Sequence, residues 1–137
     1  MSDPDWRTRD FTPPRVDVPP VFATSREAVF RFLVGELAAA CGTPAEYVEE
    51  IVRTLMRRET LGSTGIGGGI ALPGARSAAI VRAGVVVGHL PAPMDWDAID
   101  AEPVSEVCLV LSPRDRPADH LRTLTAVVQS YAARRGD

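Results

Sequence analysis

"RRETLGSTGIGGGIALPGAR", residues 57–76, is the stretch on which the reading of this chain turns. Five glycines fall between Gly62 and Gly69, with hydroxyls at Ser63 and Thr64 and a short apolar run before Pro73. A backbone so bare of side chains reaches positive φ easily and exposes successive N–H groups, which together make a concave anion site. Arg58 adds a planar charged fork suited to phosphate. Residue types alone leave two readings open: an anion-binding loop built on Gly62, Ser63, Thr64, Gly65 and Gly67, or a flexible connector. Two familiar phosphate motifs are excluded. The chain has no Lys, which a G-x-x-x-x-G-K-[ST] loop requires. Gly65 and Gly67 begin a G-x-G-x-x-G pattern, but residue 70 is Ile and the stretch follows a helical pattern instead of a strand.

Upstream, Thr24-Ser25-Arg26-Glu27 reads as a capping box, with Thr24 as the cap. It opens a helix with the stripe Val29, Phe32, Leu33, Leu37 and Ala40, ended by Gly42. Thr43-Pro44-Ala45-Glu46 reads as a second box with Pro at the first helical position. The stripe that follows is Tyr47, Val48, Ile51, Val52, Leu55 and Met56. Downstream, "AGVVVGHL" (83–90) and "VSEVCLVL" (104–111) suit strands buried on both faces, joined by the turn-rich "PAPMDWDAID". Pro117 starts a last helix with Leu121, Leu124, Val128 and Tyr131 expected inside, and Arg134-Arg135 complementing its dipole. Helices, then strands, then a helix predict an α/β sandwich around a mixed sheet.

At 137 residues one domain is expected. Residues 1–20 hold five prolines among charged groups and read as an extended or disordered arm, leaving 21–137 as the domain. The net charge of −3 lacks the basic face that nucleic acid requires. No apolar run approaches a membrane span and the N-terminus lacks a signal-type core, so a cytoplasmic protein is expected. All 15 basic residues are Arg, a bias that carries little functional weight. Cys41 and Cys108 sit among apolar neighbours and read as buried free thiols. With two His in the chain, no metal centre is expected, and no cofactor is called for.

"RRETLGSTGIGGGIALP" resembles the active-site signature of the fructose/mannitol-type enzyme IIA domains of the bacterial phosphotransferase system, the nitrogen-regulatory branch above all. The likeness extends from about Thr24 to Tyr131 and includes "DAID" and "HLRTL" at 120–124. It implies a mixed sheet of about five strands sandwiched by helices. It also implies a phosphocarrier, in which a histidine closing the signature takes a phosphoryl group from the carrier HPr and passes it to an enzyme IIB. Here the residue after "IALP" is Gly74, so the acceptor position has no side chain. An imidazole works there because it is nucleophilic near neutral pH and its P–N bond is labile. Esters on Ser63, Thr64 or Ser77 would be poor donors. The resemblance places His120 as the family's second histidine, beside the acceptor, and Arg58 as an arginine near the phosphoryl group. Arg58 reads equally as the cap of its own helix, and His89 matches no family residue.

Three functions follow as expectations. The first is a regulatory or docking module, unable to relay phosphate, whose partners are HPr-like or enzyme IIB-like proteins or a regulated target. The second is an active phosphocarrier (a transferase) that uses His120. The third is a sensor of small phosphates or other anions.

Overall fold

In this computed structural model, which describes residues 13–134, two long antiparallel strands form the spine. They are β5 (Gly84–Met94) and β6 (Val104–Pro113), in register from Gly84↔Leu111 to His89↔Glu106. Their Val- and Leu-rich sequences bury both faces, as expected. Val86, Val107, Leu109 and Leu111 pack into one core, while Val85, Val87, Cys108 and Val110 pack into another. The larger core is closed by α1 (Arg26–Ala38) and α2 (Val48–Leu61), the smaller by α3 (Pro117–Arg134). The α/β class and the mixed sheet are therefore as the sequence predicts.

The sheet has six strands, in the order β1-β5-β6-β3-β2, with β4 also on β6. β3 (Ile70–Ala71) and β4 (Gly74–Ser77) both run parallel to β6, from Ile70↔Glu106 through Gly74↔Val110 to Ser77↔Pro113. The register never shifts, so they are one strand interrupted at Leu72-Pro73, and the sheet has about the five positions expected. β2 (Gly65–Gly67) folds back antiparallel on β3 through glycines at φ 97°, 66° and 79°, which only glycine adopts at little cost.

Five local expectations are corrected. Arg15–Asp17, assigned to the arm, form β1, parallel to β5, and Val18 lies in the main core, so the boundary at residue 20 is too late. Residues 1–12 of the arm lie outside the described residues. The cap of α1 is Ser25, whose Oγ accepts Ala28 N–H at 3.0 Å, and not Thr24. Thr43 caps no helix; its hydroxyl donates to the Ala79 carbonyl at 3.0 Å, and a 3-10 turn over Ala45–Tyr47 precedes α2. On α3 the inner face is Thr123, Val127 and Tyr131, with Leu124 partly buried, while Leu121 and Val128 face solvent. The connection after β5 also starts later than expected, because the strand runs on to Met94 past an irregularity beyond His89. Among the described residues no helix is long and apolar enough to cross a membrane.

Candidate functional site

The glycine-rich stretch curls around the chain's own carboxylates. Glu59, in the last turn of α2, is buried, and its carboxylate collects four donors. These are the Thr64 hydroxyl, Thr64 N–H at 3.3 Å, the Trp96 indole N–H at 3.3 Å and the Arg26 guanidinium at 3.1 Å. Arg26 also pairs with Asp97 at 2.9 Å and lies 5.6 Å from the centre of the Trp96 ring. A buried carboxylate needs such company, since an unpaired one is costly. At the other end of the loop Asp100 accepts Gly68 N–H at 3.0 Å and Glu102 N–H at 3.0 Å. Those two backbone bonds hold the Asp100 carboxyl below the usual carboxylate range.

The residues proposed as an external anion loop are therefore engaged inward. Ser63 Oγ donates to the Trp96 carbonyl and accepts Gly65 N–H at 3.0 Å. Thr64 is buried on Glu59. Gly62 N–H returns to the Glu59 carbonyl at 3.2 Å, and Gly67 abuts the Asp100 carboxylate. Arg58 donates to the Gly62 carbonyl at 2.6 Å and so closes the C-terminus of its own helix. Of the two roles open to Arg58, the structure displays the cap. One loop amide reaches each carboxylate, Thr64 N–H on Glu59 and Gly68 N–H on Asp100.

Gly74 and His120 are brought together. Gly74 opens β4, and His120 stands in the first turn of α3, its N–H bonded to the Arg116 carbonyl at 3.2 Å. A Cβ built on Gly74 would lie 3.1 Å from His120 Cε1, 3.3 Å from Nε2 and 3.3 Å from the Val110 carbonyl oxygen. The imidazole thus leans over the bare backbone of residue 74, and glycine lets it sit there. Nδ1 is 2.8 Å from the hydroxyl of Ser112, which is fully buried. Burial, and then the nearby Arg76 guanidinium, hold the His120 pKa below its ordinary value, so the ring is neutral at physiological pH. The tautomer with Ser112 donating to Nδ1 leaves Nε2–H as a donor.

Two participants here escaped sequence reading. Arg76 follows Gly74 by two positions on β4, which puts both on one face, and it pairs in register with Ser112 of β6. The strand alternation counted from Gly74 was the available signal for Arg76. His89 lies exposed on β5, in register with Asp17 and Glu106, and joins no cluster. Among the described residues no group of three or more His, Cys, Asp or Glu is placed to hold a metal.

Against this geometry the comparisons with known proteins are direct. The family described as "Phosphoenolpyruvate-dependent sugar phosphotransferase system, EIIA 2" matches residues 13–133. A nitrogen regulatory protein of Escherichia coli strain K12 is 40% identical over 102 residues, covering 73% of this chain and 61% of that protein. The aligned region is thus about three-fifths of that relative's length. The crystal structure of nitrogen regulatory protein IIA-Ntr from Neisseria meningitidis superposes with TM-score 0.71 at 28% identity, over 86% of this chain and 77% of the other. The E. coli mannitol enzyme IIA, solved in complex with phosphorylated enzyme IIB, shares the fold at 20% identity and TM-score 0.57, over 77% and 74% of the two chains. The chain belongs to the type-2 EIIA family of the phosphotransferase system.

Proposed function

We propose that this protein is a type-2 EIIA domain that has lost its phospho-acceptor and works as a docking or regulatory module in the cytoplasm. The observation that carries the reading is Gly74 lying against the His120 ring, with Cε1 3.1 Å from where a Cβ would begin. Phosphoryl relay needs a nucleophile at residue 74 whose bond to phosphorus is labile, and a glycine has none. His120 is retained as the neighbour that once faced the acceptor. Held in one unphosphorylated form, the domain presents a constant face to its partners. The mannitol enzyme IIA, seen with an enzyme IIB, supports a partner of the enzyme IIB kind.

Intact-mass spectrometry at alkaline pH tests this, after incubation with phosphoenolpyruvate, enzyme I and HPr. The natural protein, Gly74→His and His120→Ala are run together, with far-UV circular dichroism as a folding check. Labelling of Gly74→His alone is the expected result, since a Cβ at residue 74 needs the His120 ring and the Val110 carbonyl to give by only a few tenths of an ångström. Labelling of the natural protein that disappears in His120→Ala would move the relay to His120, whose neutral imidazole is itself a competent nucleophile. No label on a folded Gly74→His would remove the docking half of the proposal.

A further inference from the structure

We propose that the cleft between the start of α2 and the ends of β4 and β6 is a binding site for a free α-amino acid, its carboxylate on Arg114 and its ammonium on Glu50. The cleft encloses about 460 Å³, within the range of small-molecule sites. Ala75 lies in the core under α1 and α2, and Ser77, two positions on, lines the cleft on that same face of the sheet. His120 leans over the opposite face, at Gly74, so this site is independent of the lost acceptor.

Charge is the first observation. Glu50 on α2 and Arg114 after β6 line one cleft with opposite charges, yet neither side chain makes a hydrogen bond or ion pair with a described residue. Elsewhere on these helices such charges find each other: Arg31 pairs with Glu49, and Arg26 with Glu59 and Asp97. A small molecule that carries both signs satisfies both walls at once, and an α-amino acid is such a molecule. A guanidinium holds a carboxylate through two parallel N–H bonds, and a carboxylate accepts the donors of an ammonium.

The lining between the charges is the second. Pro44, Tyr47 and Val81 are exposed around the cleft, Val81 by 62%. They suit an aliphatic or aromatic side chain, on which the Tyr47 ring can stack. The third is that the walls are braced. Thr43 Oγ1 donates to the Ala79 carbonyl at 3.0 Å and Val81 N–H to the Cys41 carbonyl at 2.9 Å, which tie the turn after α1 to the turn after β4. Arg114 N–H donates to the Ser77 carbonyl at 3.2 Å. Gly42, at φ 67°, lets the Val81 side chain come within 3.0 Å of where a Cβ would stand. A cleft braced before binding needs little ordering when a ligand enters.

Calorimetric titration of the full chain with L-phenylalanine and L-leucine at constant ionic strength is the test. Phenylpyruvate, which lacks the ammonium, and phenethylamine, which lacks the carboxylate, are run beside them. Saturable binding of at least one amino acid is expected, with each analogue weaker by about tenfold or more. Arg114→Gln and Glu50→Gln are each expected to weaken amino-acid binding by about the same factor. Glu36→Gln, the same change of charge at an exposed position of α1 outside the cleft, is expected to leave it unchanged. Glu50→Gln should bind phenylpyruvate no worse than the natural protein does, because the keto acid has no ammonium to place there. Both replaced residues are exposed, so the variants are expected to fold, and their thermal midpoints check it. Amide chemical shifts at Gly42, Ala79 and Arg114 are expected to move on titration. Absence of saturation with both amino acids would overturn the site, as would equal binding by the natural protein and a folded Arg114→Gln or Glu50→Gln. Shifts confined to Gly74 and His120 would place the ligand elsewhere and overturn it too.

Discussion

The indole N–H of Trp96 donates to the carboxylate of Glu59 at 3.3 Å, joining two residues 37 positions apart. With Thr64 and Arg26 on the same carboxylate, this contact ties the end of α2, the start of the glycine-rich stretch and the loop after β5 into one unit. The unit fixes the entry to β2, and from there the chain runs through β3 to Gly74. Replacing Glu59 with Ala removes the acceptor of four buried or half-buried donor groups, one of them charged. A loss of about 2–4 kcal/mol is expected, the range for removing one partner of a buried network. Urea unfolding followed by tryptophan fluorescence measures it. A change under about 0.5 kcal/mol, the usual size for a surface substitution, would mean that Glu59 is not structural.

Much of the fold was legible, for physical reasons that differ by element. The stripe Ile51, Val52, Leu55 predicted α2 because only one face of that helix meets the core. β5 and β6 were legible because both faces are covered, which demands unbroken Val and Leu. β1 was hidden by the prolines on either side of it, Pro13-Pro14 and Pro19-Pro20. At this edge of the sheet the Pro14 carbonyl accepts Val87 N–H at 2.8 Å, so a residue with no N–H still takes part in the ladder. The phase of α3 slipped because Thr123, a polar residue, is fully buried while Leu121 is 65% exposed. Of the site, the juxtaposition of Gly74 and His120 followed from the family resemblance. The fate of the loop did not, because nothing local marks Glu59 and Asp100 as the anions that it would enclose.

His120 makes the stability of the domain depend on pH in a definite direction. Its pKa lies below 6.5 in the folded protein, first because of burial and then because of Arg76. The unfolded chain therefore binds the proton more readily. Stability is full above about pH 6.5 and falls as pH drops from there through the folded pKa. His120→Gln is expected to flatten this part of the profile, leaving the carboxylate-dependent loss at lower pH in place. Unfolding midpoints between pH 5 and 8 show the slope, and the imidazole resonance gives the pKa directly. A titration above 6.5 in the native state would reverse the sign and contradict the burial argument.

Gly74 and His120 are expected to be coupled in stability. In an otherwise natural chain, Gly74→Ala restricts the unfolded state, which favours folding by about 0.4–1 kcal/mol. It also presses a methyl group to 3.1 Å from His120 Cε1 and 3.3 Å from a backbone oxygen that cannot move aside easily. The two effects oppose, and the net change is expected to be near zero or destabilising. In a His120→Ala background the ring contact is gone, and the same substitution is expected to stabilise. The interaction energy of the double-mutant cycle is expected to be about 0.5–1.5 kcal/mol, within the range for residues in contact. Strict additivity would show that the ring does not rest against residue 74 in solution.

The two thiols offer a test of packing that is independent of the site. Cys41 is fully buried against Gly84, where an added Cβ would come within 2.7 Å of its Sγ, and Cys108 is fully buried among the residues under α3. Burial pushes the Cys41 thiol up to about 11, a shift that the neighbouring Arg82 only partly opposes. A protonated, enclosed thiol is a poor nucleophile. At pH 8 a disulfide reagent such as dithionitrobenzoate is expected to label neither cysteine in the native protein and both in denaturant. The residual native rate should follow the opening of the domain, so Glu59→Ala, by weakening the unit around Trp96, should speed it in proportion to the stability lost. Rapid labelling of Cys41 in a natively folded sample would mean that the contact between the end of α1 and β5 opens on its own, apart from global unfolding.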